Sequence, residues 1–359
     1  MDTARIRTEI LNAHPDFSGV ISLSEHGTVL FEEAFGLAVV NEEVPNQIHT
    51  RFPMASGSKI FTAAAVLKLA DEGRLSLEDP VAYYLPDHFP HMDEHVTLGH
   101  LMTHTSGFMD YFDEEENDDY TGIWKDLPMY NMKNPEDFLI LLRDREMEFS
   151  PGERFKYNNG AFVILSMVVE HVTERKFSDY VRENVFEPAE MNDSGYFAMN
   201  RLPKDTALGY TENEDGELIS NIYSIPIIGG GDGGAYTTAG DLRRFWTALA
   251  EGRILKKERV RDMLSVHVHA DEDDYYGLGV WIRKNSDETE MIYIVGADPG
   301  VSMLSQYDPD DERIITLLSN LDGGFQVRRT FLDLIHNECA SSVFTGQVWK
   351  FPKVSQSNC

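Results

Sequence analysis

The sequence is poor in cysteine and in basic residues. Only Cys339 and Cys359 occur among 359 residues, and two cysteines near one end exclude a disulfide framework and a cluster of metal-binding thiolates. Lysine and arginine total 31 against 61 aspartates and glutamates, which gives a formal net charge of −30. Because this charge repels phosphate backbones and anionic membrane surfaces, we expect no nucleic-acid partner and no membrane partner.

Long apolar runs are also missing. The longest, around residues 63–70 and 162–169, are too short to cross a bilayer, and the first residues lack the apolar segment of a signal peptide. We therefore expect a cytoplasmic location for the sequence as it stands. Hydrophobic residues make up 42% of the chain, which is enough for a sizeable core.

Hydrophobic patterning predicts a mixed α/β (α+β) chain. Helical spacing is typical of residues 5–14, 56–72, 238–251 and 326–337. Strand-like runs occupy residues 19–24, 28–37, 276–283, 291–295, 302–307 and 313–318. Residues 76–190 are mostly helical in pattern, and the glycine-rich residues 229–234 are expected to form a flexible turn.

This order predicts an antiparallel sheet built from both ends of the chain and flanked by helices, with a helical region inserted between its two halves. The corresponding division is a discontinuous sheet domain of residues 1–75 and 191–345, a helical domain of residues 76–190, and a tail of residues 346–359. The sequence does not indicate an oligomeric state.

A serine and a lysine lie three positions apart at the start of a predicted buried helix. On a helix, Ser56 and Lys59 share a face, with Cβ atoms about 5–6 Å apart. The helix N-terminus favours an oxyanion, and burial lowers the pKa of an amine, which makes a neutral base accessible. A match of this kind is also expected by chance in a chain of this length, so a second element is needed.

That second element is a tyrosine and an asparagine two positions apart, Tyr157 and Asn159, in an irregular segment before another apolar helix. The phenol can relay a proton from a nucleophile, and the amide can bind the lysine or a substrate carbonyl. By itself this pattern also fits an ordinary loop tyrosine beside a turn.

Together, and in this order, the two elements resemble the serine β-lactamase and penicillin-binding-protein superfamily, in its class C-like branch of carboxypeptidases, D-aminopeptidases and esterases. Residues 101–107 and 233–242 resemble two further segments of that branch. The resemblance implies a β-lactamase/transpeptidase-like fold and a cofactor-free serine hydrolase that acylates Ser56. Lys59 and Tyr157 would handle protons, Tyr157 would be the base in deacylation, and Asn159 would hold Lys59 and the substrate. The implied partners are small esters, amides, short peptides and covalent β-lactams.

The family's third motif, on an edge-facing strand, matches residues 294–300 only in part. Gly296 takes the place of the motif glycine, and Ala297 would supply an oxyanion N–H beside that of Ser56. Ile294 stands where the family has a lysine or histidine that binds a substrate carboxylate. We therefore expect an esterase or amidase of neutral or amine-bearing acyl groups, unless a shifted alignment or Arg283 supplies the cation.

Two other functions stay open. A non-catalytic binding or sensing protein would explain the altered third motif, although it would have no chemical need for all four catalytic-type residues. A zinc hydrolase would use His91 and His95, whose spacing matches an inverted zinc-protease pattern, but the nearby prolines argue against the helix it needs. His267 and His269 are an equally weak candidate zinc site. By the family pattern, His104 and Thr105 are expected to have a structural role and to hold a turn.

Overall fold

In this computed structural model, residues 1–117, 119–284 and 290–341 are described. Their strands, in chain order, are β1 (Gly19–Glu25), β2 (Thr28–Phe35), β3 (Leu37–Val39), β4 (Val44–Pro45), β5 (Phe52–Pro53), β6 (Tyr210–Glu212), β7 (Leu218–Ser220), β8 (Tyr236–Thr237), β9 (Val268–Asp271), β10 (Asp274–Tyr276), β11 (Trp281–Lys284), β12 (Glu290–Asp298), β13 (Val301–Asp308) and β14 (Arg313–Ser319).

The α-helices of the described residues are α1 (Thr3–Ala13), α2 (Lys59–Asp71), α3 (Val81–Tyr84), α4 (Leu98–Met102), α5 (Leu139–Leu142), α6 (Asn159–Thr173), α7 (Phe177–Val181), α8 (Ala239–Glu251), α9 (Lys257–Met263) and α10 (Gln326–Ser341). Short 3₁₀-helices occupy Ala55–Ser58, Tyr120–Lys125, Met129–Asn131, Pro135–Phe138 and Met199–Arg201, and a π-helical turn spans Arg182–Phe186. No helix in these ranges is both long and apolar enough to cross a bilayer.

Eight strands form the main sheet, in the order β2-β1-β14-β13-β12-β11-β10-β9. Every neighbouring pair is antiparallel, and Gly19 of β1 lies opposite Ser319 of β14. The sheet therefore joins the first strands of the chain to the last ones, which confirms the predicted architecture.

The central strands are buried on both faces because helices cover each side. Alternate side chains of β1 point to opposite faces, so Ile21 packs in a smaller core with Ile10 of α1 and Phe331 of α10. Val20, the neighbour of Ile21, joins the larger core, which also contains Trp246 of α8 and the buried face of α2.

Helix α2 is buried on nearly all sides, as its composition predicts. Its residues from Lys59 to Leu67 are all buried, and it packs against α6 and α7 of the interval 76–190. In that interval the structure, with only Asp118 left undescribed, shows helices and loops but no strand. The limits of the helical domain remain a prediction, and the predicted tail of residues 346–359 lies outside the described residues.

Some details of the sequence prediction are wrong. The predicted strand at residues 276–283 is two strands, since Gly279 has φ +80° and turns the chain between β10 and β11. The predicted helix at residues 56–72 begins as the 3₁₀-helix Ala55–Ser58, and its α-helical part starts only at Lys59.

Candidate active site

Ser56 lies in the tight 3₁₀ turn that leads into α2. The preceding residue, Ala55, has φ +45°, a left-handed conformation that costs energy for a residue with a side chain. Two hydrogen bonds of the Ser58 hydroxyl stabilise the turn. Within the turn it donates to the Ala55 carbonyl at 2.9 Å, and from outside the turn it accepts from the N–H of Ala235 at 3.0 Å. The strained turn thus fixes where the Ser56 hydroxyl points.

The Lys59 ammonium nitrogen lies 2.9 Å from the Ser56 hydroxyl oxygen. It also contacts the amide oxygen of Asn159 and the backbone carbonyl of Asp232, both at 2.7 Å. The Lys59 residue is only 2% exposed. Burial lowers the pKa of its ammonium, although the nearby carboxylates, chiefly Asp232, oppose that shift.

Asn159 begins α6 and links the lysine to an acidic loop. While its amide oxygen faces Lys59, its amide nitrogen donates to the Glu114 carboxylate at 2.9 Å. The Asp110 carboxylate accepts from the backbone N–H groups of Asn159 at 2.6 Å and Gly160 at 2.8 Å. Asp110 therefore satisfies the start of α6 and sets the position of Asn159.

Tyr157 meets the other two groups from a separate segment. Its ring centre lies 4.9 Å from the Lys59 nitrogen, and its phenol lies near the Ser56 hydroxyl. Burial raises the pKa of the Tyr157 phenol well above its ordinary value. The ring packs between His104, at a centroid distance of 4.5 Å, and Trp281, stacked at 6.1 Å.

His104 itself is fully buried, and its Nδ1 accepts from the N–H of Asn158 at 3.1 Å. Burial, together with the Lys59 charge, lowers the pKa of His104 well below its ordinary value. The hydroxyl of the adjacent Thr105 contacts that of Thr103 at 2.9 Å. These contacts fit the structural role expected for both residues.

Strand β12 places Gly296 directly against the serine turn. A Cβ atom on Gly296 would lie 2.9 Å from the backbone nitrogen of Ser56 and 2.3 Å from the carbonyl oxygen of Met54. The next residue, Ala297, lines the same cavity as Ser56. The structure therefore brings Ser56, Lys59, Tyr157, Asn159, Gly296 and Ala297 together.

The motif strand is not at the edge of the whole sheet, because β11 pairs with it as well as β13. The β11 pairing ends at Tyr293, however, whereas β13 continues alongside to Asp298. Residues 294–298 thus keep one unpaired side, so the edge-facing description holds for this half of the strand only.

Ile294 offers nothing to a ligand. It is 2% exposed and belongs to the larger core. Arg283, the alternative source of a cation, pairs with Asp274 and does not line the cavity. In the described part of the chain, the residues that line the cavity include no lysine, arginine or histidine.

The cavity beside Ser56 has a volume of about 500 Å³ and carries several carboxyl groups. Asp232, Asp298 and Glu114 all line it. Burial raises the pKa of Asp298 to about 8, and Asp232 adds to that shift. No sequence motif pointed to these three acids, because they come from a loop, a glycine-rich segment and a strand end far apart in the chain.

The glycine-rich segment 229–234 is packed against the site. Its Gly231 carbonyl accepts from the Thr62 hydroxyl at 2.6 Å, and the N–H of Gly234 donates to the Ala55 carbonyl at 3.3 Å. A Cβ on Gly231 would lie 2.2 Å from the Phe162 carbonyl oxygen. The glycines permit this close approach. In the sequence, Asp232 stands out only as the one aspartate within this glycine-rich segment.

The histidines considered for zinc do not share a helix face. His91 and His95 lie in turns, with His95 Nδ1 2.9 Å from the Asp93 carboxylate. His267 and His269 contact backbone carbonyls near β9. Within residues 1–117, 119–284 and 290–341, no group of three or more His, Cys, Asp or Glu side chains forms a metal-binding cluster.

Comparison with known proteins decides the family. The Beta-lactamase family profile matches residues 9–337. This chain belongs to the Beta-lactamase family. Penicillin-binding protein 4* of Bacillus subtilis is 27% identical to it, over 96% of this chain and 76% of that protein.

Solved structures of the Beta-lactamase family agree. A penicillin-binding protein from Bacillus halodurans superposes with a TM-score of 0.87 at 42% identity, over 92% of this chain and 99% of that chain. A D-amino acid amidase from Ochrobactrum anthropi SV3 has a TM-score of 0.78 at 21% identity, over 94% and 100% of the two chains, and shares the fold. The resemblance and the β-lactamase/transpeptidase-like fold expected from the sequence are thereby confirmed.

Proposed function

We propose that this protein is a serine hydrolase that cleaves an ester, amide or peptide bond through an acyl-enzyme on Ser56. The observation that carries the proposal is the 2.9 Å contact between the Lys59 nitrogen and the hydroxyl of Ser56, which itself lines a cavity large enough for a small substrate. Membership of the Beta-lactamase family supports this reaction class.

The contacts of Lys59 suit a neutral amine as the base. A neutral amine has two N–H donors and one lone pair. The Asn159 amide oxygen and the Asp232 carbonyl, which only accept, take the two donors. The lone pair then faces the Ser56 hydroxyl and can accept its proton during attack. Burial, which lowers the pKa of Lys59, favours this state.

Tyr157 serves as a relay in this mechanism. Because burial raises its pKa well above the ordinary value, it stays protonated at neutral pH. Its hydroxyl can pass a proton to the leaving group while Lys59 replenishes it. We therefore assign the base in deacylation to Lys59 acting through Tyr157, in place of Tyr157 itself, which the family resemblance implied. The two groups titrate as a coupled pair.

The oxyanion would be held by the backbone N–H groups of Ser56 and Ala297. The packing of Gly296 on the serine turn supports this assignment, since it brings the unpaired side of β12 to the nucleophile. Fixed donors of this kind stabilise charge as it develops and need no reorganisation during the reaction.

The substrate we propose carries a neutral or amine-bearing acyl group. The cation-free lining of the cavity and the burial of Ile294 support this, because a substrate carboxylate would find no charged partner there. A small ester or amide is thus a better candidate than a carboxylate-bearing peptide.

The test compares wild type with Ser56→Ala on a p-nitrophenyl ester, with mass spectrometry of the intact protein after brief exposure to a fluorophosphonate. We expect the wild type to turn over and to gain one adduct on Ser56, and the variant to do neither. Ser265→Ala is the matched control, because Ser265 is exposed and does not line the cavity. Equal turnover by Ser56→Ala would remove the proposal.

The second candidate is a non-catalytic binding or sensing protein, which Ile294 at the cation position favours. It predicts binding of a ligand in the same cavity without turnover. Saturable hydrolysis by wild type that is lost in Ser56→Ala would exclude it.

A further inference from the structure

Asp298 is the last residue of β12 and faces the cavity from the strand end next to Ala297. Among the described residues, its carboxyl group has no hydrogen bond and no ion pair, although the residue is partly buried in the cavity wall. The other three cavity acids differ: Asp232 accepts from the Tyr111 hydroxyl at 2.6 Å, Glu114 accepts from Asn159, and Asp322 accepts from the N–H of Gly300 at 2.7 Å. A partly buried carboxyl group without a protein partner has lost part of its hydration with nothing in the protein to replace it.

The surroundings of Asp298 are acidic. Asp232 and Glu114 repel its negative charge, whereas Lys59 attracts it only while its amine is protonated. The hydroxyl-bearing rings of Tyr120 and Tyr236 also feel the Asp298 charge, which raises the pKa of both phenols further beyond the effect of their burial. The Lys59 nitrogen already bonds to the Ser56 hydroxyl, the Asn159 amide oxygen and the Asp232 carbonyl, so it does not pair with Asp298. This part of the cavity therefore has excess negative charge.

We propose that Asp298 is a specificity-determining residue that binds the ammonium group of an amine-bearing acyl substrate, namely an α-amino acid amide or ester. This inference rests on the proposed acyl-enzyme function. The amine of such a substrate lies two bonds from the carbonyl carbon that Ser56 attacks. Asp298 directly follows Ala297, whose N–H would hold the carbonyl oxygen, so one substrate can reach both residues.

The chemistry favours an ammonium ion over other groups. It donates up to three hydrogen bonds, which supplies the missing partner of the Asp298 carboxylate, and its charge offsets the mutual repulsion of Asp298, Asp232 and Glu114. A substrate carboxylate would add to that repulsion, and a neutral acyl group would leave Asp298 unpaired.

The experiment measures kcat/KM of wild type, Asp298→Asn and Asp298→Ser on alanine p-nitroanilide, in both D and L forms, and on propionyl p-nitroanilide, which lacks only the amine. Asparagine keeps the shape of the side chain and removes the charge. We expect kcat/KM for the alanine substrate to fall about 10- to 100-fold in both variants, the usual effect of losing a charged hydrogen-bond partner. The propionyl substrate should change less than about threefold, because its interactions remain.

Glu115→Gln is the charge control, since Glu115 is exposed in the same acidic loop as Glu114 and lies outside the cavity lining. It should leave both substrates unaffected. An equal loss on both substrates in the two Asp298 variants, or a wild type that prefers the propionyl substrate, would overturn the role of Asp298. Absence of turnover on every substrate, with no adduct on Ser56, would instead overturn the proposed function.

Discussion

Replacing Gly296 by alanine should separate the serine turn from β12. The added Cβ would lie 2.3 Å from the Met54 carbonyl oxygen, 2.7 Å from the Gly57 nitrogen and 2.9 Å from the Ser56 nitrogen. An ordinary carbon contact needs about 3.5 Å, so one of the two backbone segments must move by roughly 1 Å. All three atoms belong to the backbone, and no side chain can swing aside.

A displacement of that size acts on the geometry around the attacked carbonyl. Misplacing reacting groups by about 1 Å can cost about 100-fold in rate, and we expect kcat on a p-nitrophenyl ester to fall by about that factor. The strain of overpacking should also lower the free energy of unfolding by about 1–3 kcal/mol, measured by urea denaturation.

The matched control is Gly240→Ala in the first turn of α8. A Cβ there meets nothing closer than the flexible guanidinium of Arg244, at 3.6 Å, and alanine is the better helix former. This variant should keep the wild-type rate and stability. If Gly296→Ala retained more than half of the wild-type kcat, the close packing of β12 on the serine turn would not be what holds the reacting groups in place.

Two further outcomes follow from the same contacts. If neutral Lys59 is the base, kcat/KM should rise with pH through a midpoint below 10.5, because burial lowers the pKa of Lys59 from that value. The Glu114 charge raises the pKa of Lys59, so Glu114→Gln should move the midpoint to lower pH. A pH profile that is flat, or a midpoint that moves upward, would contradict this. Asp110→Ala leaves the N–H groups of Asn159 and Gly160 without their acceptor. This variant should lower the free energy of unfolding, measured by urea denaturation, by about 1–2 kcal/mol. An unchanged free energy of unfolding would show that water replaces the carboxylate without cost.

The fold was largely predictable because its signals are local. Helix α8 begins and ends as its sequence indicates, with Thr238 capping its N-terminus and Gly252 in the left-handed conformation after its end. The strands near residues 294, 303 and 315 were also expected, since each is a short apolar run between turn residues. Strand β9 was missed because its run of four residues is short, and it places polar residues on a half-exposed edge.

The site was predictable where residues lie close in the sequence and not where the fold assembles it. Ser56 and Lys59 are one helical turn apart, so their contact follows from helix geometry. The Asp298 carboxyl comes near Asp232 only because β12 and the glycine-rich segment both pack on the serine turn. The spacing of the two residues in the sequence does not predict this contact.

The joining of early and late strands in one sheet also affects how the protein matures. Gly19 pairs opposite Ser319, and the pocket draws on segments near residues 56, 159, 232 and 297. Contacts so distant along the chain close slowly, because a long loop must be ordered before they form. During synthesis, some 240 residues must follow Ser56 before Ala297, its proposed oxyanion donor, is added to the chain. The growing polypeptide should therefore have no hydrolase activity until most of this fold has been translated.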